Sequence, residues 1–118
     1  MKTLIVEDDF TNRLLLQEVL KGYGASHIAV NGKEAVAAVR AALEAGRPYD
    51  LICLDIMMPE MNGQEALREI RLLEEKMGAT GPGRAKIIMT TAHADKANII
   101  QARDQRCDYF LVKPIQKA

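Results

Sequence analysis

The sequence predicts a doubly wound α/β domain, a parallel β-sheet with helices on both faces. Three observations carry this. Short apolar runs rich in β-branched residues alternate with stretches whose apolar residues recur every three or four positions, in the order β-α-β-α-β-α-β-α-β. Strict alternation of this kind is what parallel strands joined by helical crossovers produce. The third run, Leu51-Ile52-Cys53-Leu54, is apolar on both faces, as a strand covered from both sides must be. Finally, the polar residues that interrupt the runs fall at their C-terminal ends. A length of 118 residues suits one domain over 1–118 and is too short for two.

Each element has its own signal. Leu4-Ile5-Val6 is a strand that ends on Glu7-Asp8-Asp9. Leu16, Val19, Leu20 and Tyr23 then fall at helical spacing, and Gly22 and Gly24 end that helix. Ala25 to Val30 is a more polar strand, suited to a sheet edge. Asn31 is a candidate N-cap for a helix striped by Ala35, Ala38, Val39, Ala42 and Leu43, which Gly46-Arg47-Pro48 stops. The central strand follows, then Pro59 and Asn62-Gly63 break the chain before a helix with Ala66, Ile70, Leu73 and Met77 inward. Gly78 to Gly83 is a turn-rich connection. Lys86-Ile87-Ile88-Met89-Thr90 is the fourth strand, and Asp95 caps a fourth helix running to about Arg103 with Ile99 and Ile100 inward. Tyr109-Phe110-Leu111-Val112 is the fifth strand, stopped by Lys113-Pro114. Only Ile115 to Ala118 follow, too few for a helix, so a fifth, C-terminal helix is absent from the expected pattern. Part of one apolar sheet face would then be bare, so either a C-terminal helix beyond these residues or a partner is expected to cover it, and a bare face favours pairing.

Composition excludes several classes. Lys+Arg and Asp+Glu both number 16, so no global basic field exists to hold nucleic acid or an anionic membrane. No apolar run is long enough to cross a bilayer, and Met1-Lys2-Thr3-Leu4 enters a strand with no secretory cleavage pattern. The expected location is the cytoplasm. Cys53 and Cys107 form no CxxC pair, and both are expected to be free thiols.

In a parallel sheet all strand C-termini share one edge, and ligands bind in the crevice there. The strands deliver Glu7 and Asp8, Asp55, Thr91 and Lys113 to that edge. Carboxylates gathered in one pocket repel unless a cation joins them. An oxygen-only ligand set suits Mg²⁺ or Mn²⁺, and without His or Cys among the ligands zinc is disfavoured. Lys113 adds a fixed positive charge and Thr91 a hydroxyl, which together cradle a phosphoryl group. Asp55 is itself a competent nucleophile, already ionised at neutral pH. Duller readings compete with each assignment. Alone, Asp55 could as well cap a turn, the acids after the first strand could be a solvated loop, and Thr91 could satisfy the backbone. Only their convergence at one pole argues otherwise. His93 reads as a loop residue rather than a metal ligand, and the Met57-Met58-Met61 cluster as packing.

Four motifs carry a family resemblance: Ile5-Val6-Glu7-Asp8-Asp9, Leu54-Asp55-Ile56-Met57-Met58-Pro59-Glu60-Met61-Asn62-Gly63, Thr90-Thr91-Ala92, and Leu111-Val112-Lys113-Pro114. In this order and at strand ends, they make the chain resemble the receiver domain of bacterial two-component response regulators, from Leu4 to Pro114. The resemblance implies a flavodoxin-like sheet of order 2-1-3-4-5. It implies that Asp55 is the phosphoacceptor, and that Asp8, Glu7 (mainly through water), Asp55 and the Met57 carbonyl hold the metal. Thr91, Lys113 and the backbone amides of Met57 and Ala92 would bind the phosphoryl oxygens. Asp9, one step past the matched acid pair, is left out of the site. The Lys113-Pro114 bond is expected to be cis. Thr91 and Phe110 would act as the switch, and Met57 and His93 would tune the lifetime of the phosphoryl group. The implied donor is a sensor histidine kinase or phosphotransfer protein, and the downstream target is not named by the sequence. Arg106-Cys107-Asp108 replaces the small turn of many relatives and is expected to stiffen the start of the fifth strand. The connection from Gly78 to Ala85 is longer than usual and is read as peripheral.

Two alternatives differ in class. An aspartyl-phosphate phosphohydrolase of the haloacid-dehalogenase type wants a second aspartate two residues after the nucleophile, where this chain has Met57. A degenerate receiver serving only as a docking module would not need the intact acids, threonine and lysine. The reading adopted is a self-phosphorylating and self-dephosphorylating switch that turns over no external substrate.

Overall fold

A computed structural model of the chain describes residues 1–56, 58, 60–79, 81–91 and 107–113. The expected fourth helix, the Lys113-Pro114 bond expected to be cis and the C-terminal residues lie outside them, as do Met57, Pro59, Ala92, His93 and Arg106.

The strands β1 (Thr3–Val6), β2 (Ser26–Ala29), β3 (Leu51–Asp55), β4 (Lys86–Thr91) and β5 (Tyr109–Val112) form one sheet of order β2-β1-β3-β4-β5, every neighbouring pair parallel. Polar β2 and short β5 take the edges, and the apolar runs lie inside. Helix α1 (Phe10–Leu20) covers one face, and α2 (Gly32–Glu44) and α3 (Gly63–Lys76) cover the other.

Strand alternation divides the core accordingly. Leu4, Val6, Ile52, Leu54, Ile87 and Met89 point at Ala35, Val39 and Ala42 of α2 and at Ala66, Leu67 and Ile70 of α3. Ile5 and Cys53 point the other way, against Leu16 of α1, with Leu20, Leu51 and Ile88 packed around them. Both cysteines are free thiols.

The helices begin where their caps dictate. Asp9 accepts a hydrogen bond from the Asn12 amide (3.2 Å) and starts α1, and Asn31 accepts from the Glu34 amide (2.9 Å) and starts α2. Asn62 and Glu65 form a reciprocal capping box at the start of α3.

Two inward assignments need correction. Tyr23 is 63% exposed, because the chain tightens after Leu20 into a 3-10 turn over Lys21–Tyr23. At about three residues per turn the seventh position no longer returns to the buried face. Met77 is 41% exposed, because α3 ends at Lys76 and Met77 is its C-cap. Leu67, which the narrow stripe omitted, is fully buried, so α3 presents a wider apolar face than expected.

Candidate functional site

Register brings the acids together. Val6 pairs with Leu54 across β1 and β3, so Glu7 and Asp55 are the next residues on adjacent strands. Asp55 in turn pairs with Thr90, which sets Thr91 one step further along β4. Val112 pairs with Thr91, and the Lys113 amide continues the ladder by donating to the Thr91 carbonyl at 2.7 Å. Residues from four strand ends thus meet at one pole.

Glu7, Asp55 and Thr91 are buried, while Asp8 is exposed at the rim. One carboxylate oxygen from each of Glu7, Asp8 and Asp55 lies within 4.8 Å of the others. The Lys113 ammonium bridges the two buried acids, 2.7 Å from Glu7 Oε1 and 3.2 Å from Asp55 Oδ1. The other oxygen of Glu7 accepts from the Asp9 amide at 3.2 Å. Arg13 reaches back from α1 and donates to the Glu7 and Asp8 carbonyls, both at 3.3 Å, bracing the acidic turn.

Burial pushes the Asp55 carboxyl up to about 7, helped by the hydrogen bond and charge of Glu7 and opposed by Lys113. Burial also works against the Lys113 charge, but the hydrogen bond to Glu7 and the two acid charges outweigh it and raise its pKa. The site is therefore short of positive charge with lysine alone. A small, hard dication fits this all-oxygen set, since two acids are buried, a third is open to solvent, and no nitrogen or sulfur donor stands among them.

Of the residues expected in the site, Glu7, Asp8, Asp55, Thr91 and Lys113 are gathered here. Phe110 lies on β5 and packs against the core beneath α2 and α3. Met57, Ala92 and His93 fall outside the described residues. Sequence reasoning missed three supporting residues. Asp9 lies outside the expected site, yet it caps the helix that holds Arg13 over the acidic turn. Its signal was legible as an N-cap before an apolar-periodic run.

In the sequence Gly63 reads only as a turn residue. A Cβ there would stand 2.1 Å from the Asp55 carbonyl oxygen and 2.7 Å from Ile56 Cα, so the start of α3 lies against the backbone of Asp55 itself. Its amide donates to the Ile56 carbonyl at 2.8 Å. Gly63→Ala is expected to lose about 2–3 kcal/mol in a denaturant titration. Gly22→Ala, where an added Cβ meets nothing within 4 Å, should lose none.

The family model of the response regulator receiver domain matches residues 3–118, and the chain belongs to that family. It is 36% identical over 118 residues to hybrid signal transduction histidine kinase L of Dictyostelium discoideum, covering 99% of this chain and 7% of that protein. It is 34% identical over 117 residues to the chemotaxis protein CheY of Thermotoga maritima, covering 98% of this chain and 87% of that one. Among solved structures, the receiver domain of the histidine kinase CKI1 from Arabidopsis thaliana complexed with Mg²⁺ superposes with a TM-score of 0.84 at 33% identity, over 94% of this chain and 81% of that one. The chain thus spans a small part of the hybrid kinase and most of the chemotaxis protein. Receiver domains are signalling switches of two-component phosphorelays. No described helix is long and apolar enough to cross a membrane.

Proposed function

We propose that Asp55 accepts a phosphoryl group from a phosphohistidine on a sensor kinase or phosphotransfer protein. An Asp55 carboxylate oxygen attacks phosphorus, the P–N bond to the donor imidazole breaks, and its electron pair stays on the ring nitrogen. Water later cleaves the acyl phosphate, returning the carboxylate and inorganic phosphate. The observation that carries this reading is the Lys113 ammonium bridging Glu7 and Asp55 inside an acidic pocket that Asp8 opens to solvent.

Glu7, Asp8, Asp55 and the Met57 carbonyl would hold Mg²⁺ (or Mn²⁺), as the Mg²⁺ complex of the CKI1 receiver supports. When bound, the metal neutralises charge that builds on the transferring phosphoryl oxygens. Lys113 pairs with one such oxygen, and the Thr91 hydroxyl and the Met57 and Ala92 amides donate to the others. Arg13 and the Asp9 cap keep the acidic turn rigid. Thr91 drawn toward the new charge leaves room for Phe110 to swing inward, which changes the β5 surface that a downstream target reads. Met57 partly screens the acyl phosphate from water, and Met57 and His93 tune its lifetime.

Residues 1–118 form one receiver unit, cytoplasmic, turning over no external substrate. It works through protein partners, a second copy among them, and not through nucleic acid or membrane. Incubation with acetyl phosphate and MgCl₂, followed by borohydride reduction and peptide mass spectrometry, tests the reading. The expected result is a single modification on Asp55. A label on another residue, or no uptake from acetyl phosphate or from a phosphorylated histidine phosphotransfer protein, overturns it.

A further inference from the structure

At the pole opposite the site, a second set of charges is buried. Arg71 of α3 donates to Glu74 Oε1 (2.7 Å), to the Ala85 carbonyl (2.9 Å) and to Asp108 Oδ2 (2.9 Å). Arg84 donates to Asp108 Oδ1 at 3.0 Å, and Glu74 Oε2 accepts from the Ala85 amide at 2.7 Å. Two cations and two acids balance within the set. The side chains of Arg71, Glu74 and Asp108 are 4%, 5% and 11% exposed. Such an arrangement costs desolvation and is a weak source of stability. Its better-attested use is to specify one geometry.

The geometry it specifies is that of β5. Asp108 immediately precedes this strand and grips Ile87 of β4 from both sides. Its carboxylate accepts from the Ile87 amide at 2.8 Å, and its amide donates to the Ile87 carbonyl at 2.9 Å. Apolar burial does little to hold the strand in register, since Tyr109, Leu111 and Val112 are 63%, 46% and 49% exposed. Phe110 alone of the four packs on the main core. A one-residue slip of a strand turns every side chain to the other face. At the far end of β5 that slip would withdraw Lys113 from Glu7 and Asp55. We infer that Asp108, fixed by Arg71 and Arg84, is a positioning residue for Lys113, setting the register that aims its ammonium at the acid pair.

The inference rests on the reading of Lys113 as part of the phosphoryl site, but its test does not need phosphorylation. Metal-free wild type and Asp108→Asn are pulsed with formaldehyde and borohydride, and methylation of Lys113 is read against exposed Lys33 by mass spectrometry. Alkylation of buried Cys53 reports global opening. Asp108→Asn is expected to raise Lys113 methylation roughly threefold to tenfold, the population change that about one lost hydrogen bond brings, with Cys53 unchanged. Arg84→Gln, which removes only the outer contact, should shift Lys113 the same way by less, and it carries the test if Asp108→Asn does not fold. Unchanged Lys113 methylation, or a rise in step with Cys53, overturns the inference. Absence of Asp55 phosphorylation in wild type overturns the functional reading and leaves the methylation result to decide this one.

Discussion

Asp55→Asn is expected to abolish phosphoryl uptake and, in metal-free solution above pH 7, to make the protein more stable rather than less. Loss of uptake follows from loss of the nucleophilic oxygen. The stability gain follows from the raised pKa. In the unfolded chain Asp55 loses its proton near the ordinary value of 3.8, while in the fold burial and Glu7 hold it to about 7. Between those values the folded state binds more protons than the unfolded state, so stability falls as pH rises and levels off above about 7. The shift corresponds to at most about 4 kcal/mol, and the amide also gives up the ion pair with Lys113, so a net gain of about 1–2 kcal/mol is expected at pH 8. Lys113 does not blur the window. Its raised pKa keeps its contribution in place until the pH exceeds the ordinary lysine range. Urea titrations from pH 5 to 8 in a chelator check this. The wild type should show the downward slope and the variant should lack it. Equal slopes, or a variant less stable at pH 8, would show that Asp55 is not strained by its neighbours.

The convergence of the acids is legible in the sequence, and the reason is topological; the Asp55 carboxyl held up to about 7 is not, since the residues alone predict a carboxylate ionised at neutral pH. Alternating β and α segments leave no choice about which ends of parallel strands lie together, so acids as far apart in sequence as Glu7 and Asp55 fall in one pocket from the pattern alone. What required the structure was of another kind. Tyr23 and Met77 were misplaced because a periodicity does not say where a helix tightens or stops, and both residues lie just past the last α-helical turn. Gly63 looked like an ordinary turn residue, since nothing in the chain announces that the Asp55 carbonyl will lie where its Cβ would be. The Arg71–Asp108 pair spans thirty-seven positions between a helix and a strand end, and no spacing rule links them. In the sequence Asp108 stands out only as a departure from a small turn, and the connection through Arg84 only as peripheral. Together they form a buried ionic anchor. Polar burial of this sort depends on the tertiary approach of elements, which composition and period do not encode.

Lys113→Ala should damage both stability and phosphoryl uptake, in two separable ways. The ammonium is the one cation among the described residues within ion-pair distance of Glu7 and Asp55, and both acid side chains are almost wholly buried. Removing one member of a buried ionic set leaves the others uncompensated, which typically costs 3–5 kcal/mol. Part of that cost is relieved by protonation of Asp55, whose pKa should rise further, so a loss of about 2–3 kcal/mol is expected near neutral pH in chelator. Magnesium should recover more stability for this variant than for the wild type, because no other cation among the described residues then faces the acids and the metal supplies that charge. Phosphoryl uptake from acetyl phosphate should fall on the order of 10²- to 10³-fold even at saturating magnesium, since the metal cannot also occupy the position where Lys113 meets the transferring oxygens. Asp55→Asn combined with Lys113→Ala separates the two effects. If repulsion between Glu7 and Asp55 drives the instability, the second substitution should return most of the lost stability while uptake stays at zero. A double variant as unstable as Lys113→Ala would instead mean that the lysine stem, and not its charge, holds this end of β5 in place.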